Sequence, residues 1–162
     1  MLEQSTRRYY TGHMNLKVDS DAVYLVLLKA RSRVAGHFYL EATPKVNKAY
    51  TGKNNAPILT ECCRLRNVVS STAKAKCKGI FHNCIVAIRL QNTLHEMGHP
   101  QQKTMVATDN TTANSFIHST MRSKCSKIWD MKCNWLRDRT AKNQFEVKWE
   151  KGASQTSLTL FS

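Results

Sequence analysis

The sequence predicts an α/β domain: a five-stranded mixed sheet in the order β-β-β-α-β-α-β, with helices on its faces. Three observations carry that prediction. Residues 14–25 and 145–151 alternate apolar and polar side chains, residues 70–97 carry apolar side chains at helical spacing, and the stretches between are dense in turn formers. With 162 residues and 41% hydrophobic side chains, one core accounts for the length.

In "MNLKVDSDAVYL", residues 14–25, Met14, Leu16 and Val18 alternate with Asn15, Lys17 and Asp19, the period of a half-buried strand. Asp19 and Asp21 share its polar face. "RVAGHFYLEA", 33–42, is a second strand with Val34, Phe38 and Leu40 on one face and His37 and Tyr39 on the other. Residues 43–56 read as a hairpin loop, and "PILTECCRL" as a short third strand. From Ser70 or Ser71 to about Met97, Ala73, Cys77, Ile80, Cys84, Ile88 and Leu94 fall near one helix face, until Gly98 and Pro100 end it. A strand at 104–110, a short helix at 112–118, a helix at 127–143 and a last strand at 145–151 complete the order.

Lys plus Arg outnumber Asp plus Glu by 25 to 11, a net charge of +14 that suits a polyanionic partner. Nucleic acid leads, with an anionic membrane surface the weaker candidate and a solvated basic surface the bland one. No apolar run is long enough to cross a bilayer and "MLEQSTRRYY" has no apolar core, so an intracellular protein of cytoplasm or nucleus is expected, not bound to membrane. The six cysteines form no CxxC pair, and the helical spacing of Cys77 and Cys84 favours buried thiols over disulfides or zinc.

"HEMGH", 95–99, fits the zinc-protease pattern HExxH, whose chemistry needs both histidines on one face of an intact helix. Gly98 and Pro100 bracket His99, so the helix should stop before it and the match is a decoy. "NTT" at 110–112 fits a glycosylation acceptor but lacks a secretory context.

Several strings, in order, carry a family likeness: "DSDAVYL" with "KARSRVAGHFYL", "ILTE", "LRNVVSSTAKAKCKGIFHN", "EMGHPQ", "TDNTTANSFIHS" and "WDMKCNWLRDRTAKNQFEVKW". Their succession over about residues 18–150 resembles the ribonuclease H domain of copia-type LTR retrotransposon Pol polyproteins. The resemblance implies carboxylates at neighbouring strand ends and at the start of the long helix. In the family they hold two Mg²⁺ (or Mn²⁺) ions that assist cleavage of the RNA strand of an RNA-DNA hybrid. It also implies a layout of linker remnant 1–13, ribonuclease H-like domain 14–152 cut short of its last helix, and divergent tail 153–162.

Carried over by position, Asp21 matches the first catalytic, metal-binding aspartate, with Asp19 as the substitute under a shifted alignment, and Asp109 matches another. The family glutamate falls in a string like "SSxAEAE", where this chain reads "SSTAKAK", so Lys76 occupies the glutamate position and Lys74 replaces the acid beside it. At about 5 Å and an effective dielectric of about 20, each unit charge pair is worth about 3 kcal/mol, so this swap turns attraction for a cation into comparable repulsion. No Asp or Glu follows Glu150, so the fourth family carboxylate is also missing. A degenerate copy with impaired catalysis is therefore expected.

Two alternatives stay open: an active ribonuclease H, with Asp21 and Asp109 sufficing or Asp19, Glu61 or Asp130 filling in, and a decayed fragment without activity. Retained binding to a hybrid or other nucleic acid would rest on phosphate contacts from Lys74, Lys76, Lys78, Arg122, Lys124, Lys127, Arg137 and Arg139. Trp129, Trp135 and Trp149 sit on amphipathic elements and read as core.

Overall fold

Alternating side chains build the sheet and helical spacing covers one of its faces. The computed structural model describes residues 14–42, 56–111, 115, 117 and 127–150. The expected loop at 43–56 and helix at 112–118 lie almost wholly outside the described residues, as do 1–13 and 151–162. The elements are β1 (Met14–Leu27), β2 (Arg31–Ala42), β3 (Leu59–Arg64), α1 (Thr72–Glu96), β4 (Thr104–Thr108), α2 (Lys127–Ala141) and β5 (Phe145–Trp149). They form one sheet of order β3-β2-β1-β4-β5. β1 pairs antiparallel with β2 and parallel with β4, β2 antiparallel with β3, and β4 parallel with β5.

Register sorts the faces. Ser20, Ala22, Val34 and Phe38 look toward α1: Gly79 lies so close that a Cβ there would meet Ala22 Cβ at 3.3 Å, and Asn83 Nδ2 donates to Ser20 Oγ at 2.8 Å and Ala35 O at 3.0 Å. Asn83 is fully buried, and it fits because Gly36 beneath it has no side chain; a Cβ at Gly36 would stand 2.6 Å from Asn83 Oδ1. Leu16, Val18, Phe38, Ile80, Cys84, Val106, Leu136 and Phe145 fill the core between the sheet and the helices. Residues 37 and 39 lie on the opposite face, as their alternation predicts, yet both are buried there as well.

Ser71 caps α1 by accepting a hydrogen bond from the Lys74 N–H at 3.3 Å, and no acidic residue follows in the first turn. At the other end Gly98 takes a φ of 85°, the left-handed conformation glycine adopts without a steric penalty, and the His99 N–H closes on Leu94 O at 2.8 Å. His99 thus lies past the helix end. Among the described residues no group of three His, Cys, Asp or Glu side chains could hold a metal ion.

α2 runs alongside α1 in the same direction. Cys133 faces Cys77 with Sγ atoms 3.5 Å apart, Trp135 meets Phe81 edge-on at 5.1 Å, and Gln144 beyond α2 reaches Gln91 at 3.3 Å. The N-termini of both helices therefore share one end of the domain. Cys77, Cys84 and Cys133 are buried thiols outside any disulfide; a hydrogen bond with Cys133, then burial, pushes the Cys77 thiol up, and burial does the same for Cys84. Inert core thiols are the result. Among the described residues no helix is long and apolar enough to cross a membrane.

Candidate functional site

The parallel register of β1 and β4 creates the site. Their last paired residues are Ser20 and Thr108, so Asp21 and Asp109 are each the next residue on two neighbouring strands. Strands are about 4.8 Å apart, so the two carboxylates emerge side by side as a backbone property. The Asp21 Oδ1 accepts from the Ala22 N–H at 2.7 Å, which orients it.

Lys76, in the second turn of α1, reaches both acids. Its Nζ donates to Asp109 Oδ1 and Oδ2, each at 2.5 Å, and lies 3.4 Å from Asp21 Oδ1. The side chains are 14% exposed at Lys76, 16% at Asp21 and 24% at Asp109, so water screens this cluster far less than it does an ordinary surface pair. The ammonium offsets the repulsion between the carboxylates. Such an arrangement holds a charge in place.

A pair of magnesium or manganese ions does not fit these residues. Divalent cations of this kind require hard oxygen donors, and a protonated lysine offers three N–H donors and no acceptor. Lys76 supplies a positive charge between the only two acids that converge here among the described residues.

The remaining acids lie elsewhere. Asp19 stands opposite His37 and Ala107, and its interacting charges are Lys17, Glu150 and Glu41; burial first, then Glu150 and Glu41, hold its carboxyl above the usual range, with Lys17 opposing. Glu61 sits on β3 with its Oε1 3.3 Å from His82 Nε2. Glu150 approaches Lys17 at 3.6 Å, and its N–H donates to Thr108 O at 3.0 Å. The side chain of Asp130 lies outside the described residues.

The basic candidates divide. Lys74, whose Nζ donates to Ser70 Oγ at 2.9 Å, and Lys78 flank Lys76 on α1. Burial and the charge of Lys132 lower the Lys78 pKa. Arg137 is half-buried midway along α2. Arg139 is at the far end of the helix pair, where its Nη1 donates to Gln144 Oε1 at 3.1 Å and its guanidinium lies 5.3 Å above the Trp135 ring. Arg122, Lys124 and the side chain of Lys127 lie outside the described residues, as does that of Trp129.

One site residue escapes sequence reading. Trp149, expected in the core, is 46% exposed, and its indole N–H donates to Asp109 O at 3.0 Å. The alternation of Phe145, Val147 and Trp149 is real, but the third position carries β5 beyond the core to the level of Asp109. Trp135 packs against the edge of the core, as expected.

No protein-family profile matches the chain, and no curated protein does. Solved structures do. The chain is similar to the N-terminal RNase H domain of a Mycobacterium tuberculosis protein, with a TM-score of 0.56, 12% identity, and 88% of this chain and 86% of that one covered. It is similar to LC11-RNase H1 in complex with an RNA/DNA hybrid, at TM-score 0.53 and 7% identity over 89% of this chain and 90% of that one. A foamy viral protease-reverse transcriptase in complex with dsDNA matches at 0.51 and 10%, covering 91% of this chain and 89% of the other. The chain has the ribonuclease H-like fold.

Proposed function

We propose that this chain is a nucleic-acid-binding ribonuclease H-like module, a degenerate copy of the domain in copia-type retrotransposon Pol polyproteins, in which metal-dependent cleavage of the RNA strand of a hybrid is lost. The observation that carries the reading is Lys76, whose ammonium bridges Asp21 and Asp109 where the family likeness calls for a glutamate. Solved relatives of the fold were captured with an RNA/DNA hybrid and with dsDNA, which supports a nucleic-acid partner here. The net charge of +14 supplies the attraction, and Lys74 and Lys78 beside the site supply phosphate contacts at the same end of the fold.

The test is an RNA-DNA hybrid labelled on its RNA strand, incubated with the chain in magnesium or manganese and titrated separately for binding. Binding that weakens steeply with salt, without cleavage above background, is the expected result. Metal-dependent cutting that disappears in Asp109→Asn would establish the active enzyme instead. Absence of salt-dependent binding would leave the decayed-fragment reading.

A further inference from the structure

The β1–β2 hairpin outruns the rest of the sheet. Among the described residues, pairing of β4 with β1 ends at Ser20, and the chain after β3 follows the hairpin to Ser32, whose carbonyl accepts from the Leu65 N–H at 2.9 Å. Residues 25–31 form the protruding tip, pinned at its base where the Leu25 N–H donates to the buried Ser32 Oγ at 3.3 Å. We propose that this tip docks on an anionic lipid bilayer, its aliphatic side chains entering the surface and the cations behind them meeting the headgroups.

The tip is aliphatic where water should be met. Leu25, Val26 and Leu28 are 45%, 56% and 92% exposed, an unfavourable display that adds nothing to the core. Three residues of strand rise about 10 Å, so residues 25–28 span the depth from the surface to the boundary between headgroups and acyl chains.

The cations stand one layer behind. Lys29 lies in the turn, Arg31 starts the returning strand, and Arg64 is paired opposite Arg33, with Arg66 two residues nearer the tip. Lys29, Arg64 and Arg66 are exposed and Arg31 is partly so. No acidic residue stands between Asp21 and Glu41 or between Glu61 and Glu96, and the two acids nearest the base are engaged, Asp21 with Lys76 and Glu61 with His82.

Order and charge select the partner. With the aliphatic side chains below the headgroups the cations lie among them, so one approach satisfies both layers. A second copy would bring cations against cations, and a nucleic-acid backbone would meet the cations but leave the aliphatic side chains in water. Docking of this kind needs no spanning segment, so the lack of an apolar run bears only on crossing a bilayer.

The full chain is sedimented with vesicles of phosphatidylcholine alone, or with about one-third phosphatidylserine, over a range of salt. It should bind the phosphatidylserine vesicles, less tightly as salt rises, and the others weakly. A charge of +14 adsorbs to such vesicles without inserting, so the variants decide. Leu28→Gln, which leaves the charge alone, should lower partitioning about fivefold, and Leu28→Trp should raise it by about as much. Arg64→Gln with Arg66→Gln should lower it about thirtyfold, and thermal melting should be unchanged in all three variants. Equal partitioning of the parent chain and both Leu28 variants would reduce the attraction to net charge and overturn insertion. A Leu28→Gln chain that loses RNA-DNA hybrid binding but keeps vesicle binding would assign the tip to nucleic acid. One that loses self-association in sedimentation velocity, with vesicle binding intact, would assign it to a second copy, and either result overturns the bilayer.

Discussion

α1 sends two polar side chains toward β1, Asn83 and Lys76, two turns apart, and they do opposite things. Asn83 is fully sealed, bonded to Ser20 and Ala35, and seated over Gly36. Lys76 is anchored only by charge, at the end of the sheet where β4 has stopped and water begins. The first contact pins the helix to the strands and admits little variation. The second is tied to the fold by two acids alone, so its identity can change while the architecture stays, and the difference separates what makes the domain from what the domain does.

Gly36→Ala should give the largest loss, about 3 kcal/mol of unfolding free energy in a urea titration, because the new methyl would collide with Asn83 Oδ1 at 2.6 Å. Asn83→Ala should cost about 2 kcal/mol through two lost hydrogen bonds and a small void. The double variant should lose less than the sum, since the alanine at 36 then has room; strict additivity would show that the two residues are not in contact.

At the other end of α1, Lys76→Met should cost about 2 kcal/mol, because two half-buried carboxylates then face each other unpaired. Lys76→Glu should be destabilised in metal-free buffer and regain thermal stability on adding Mn²⁺, while the parent chain shows no such response. An equal Mn²⁺ response in both would break the contrast between the two positions.

The smallest effect concerns Asp19. Its folded carboxyl titrates above the ordinary value of 3.8, so the fold keeps a proton that the unfolded chain has released, and stability declines as pH rises from there through the raised value. Asp19→Asn should therefore gain a little stability at neutral pH, modest because the group is partly solvated, and nothing below pH 3.8. A denaturation series against pH measures it.

Periodicity made the architecture legible: 12 of the 14 residues of β1 were readable from alternation, and the serine start and glycine stop of α1 bracket its ends closely. Local signals could not see what pairing decides. Asp19 and Asp21 look equivalent in "VDSDA", and only the point at which β4 ends sets Asp21, not Asp19, beside Asp109. His37 reads as a residue on the polar face of a strand, yet that face of β2 is buried at residues 37 and 39 too, which alternation alone does not signal. Trp149 has the right phase for the core and the wrong height along β5.

The bond from the Trp149 indole to the carbonyl of Asp109 has an optical consequence. An indole half in water, fixed one residue from the charges that matter, changes its emission whenever those charges or their hydration change. With Trp129 and Trp135 replaced by phenylalanine, the protein would carry a native fluorophore at its own site, and occupancy by a phosphate or cation could be followed in real time without a label.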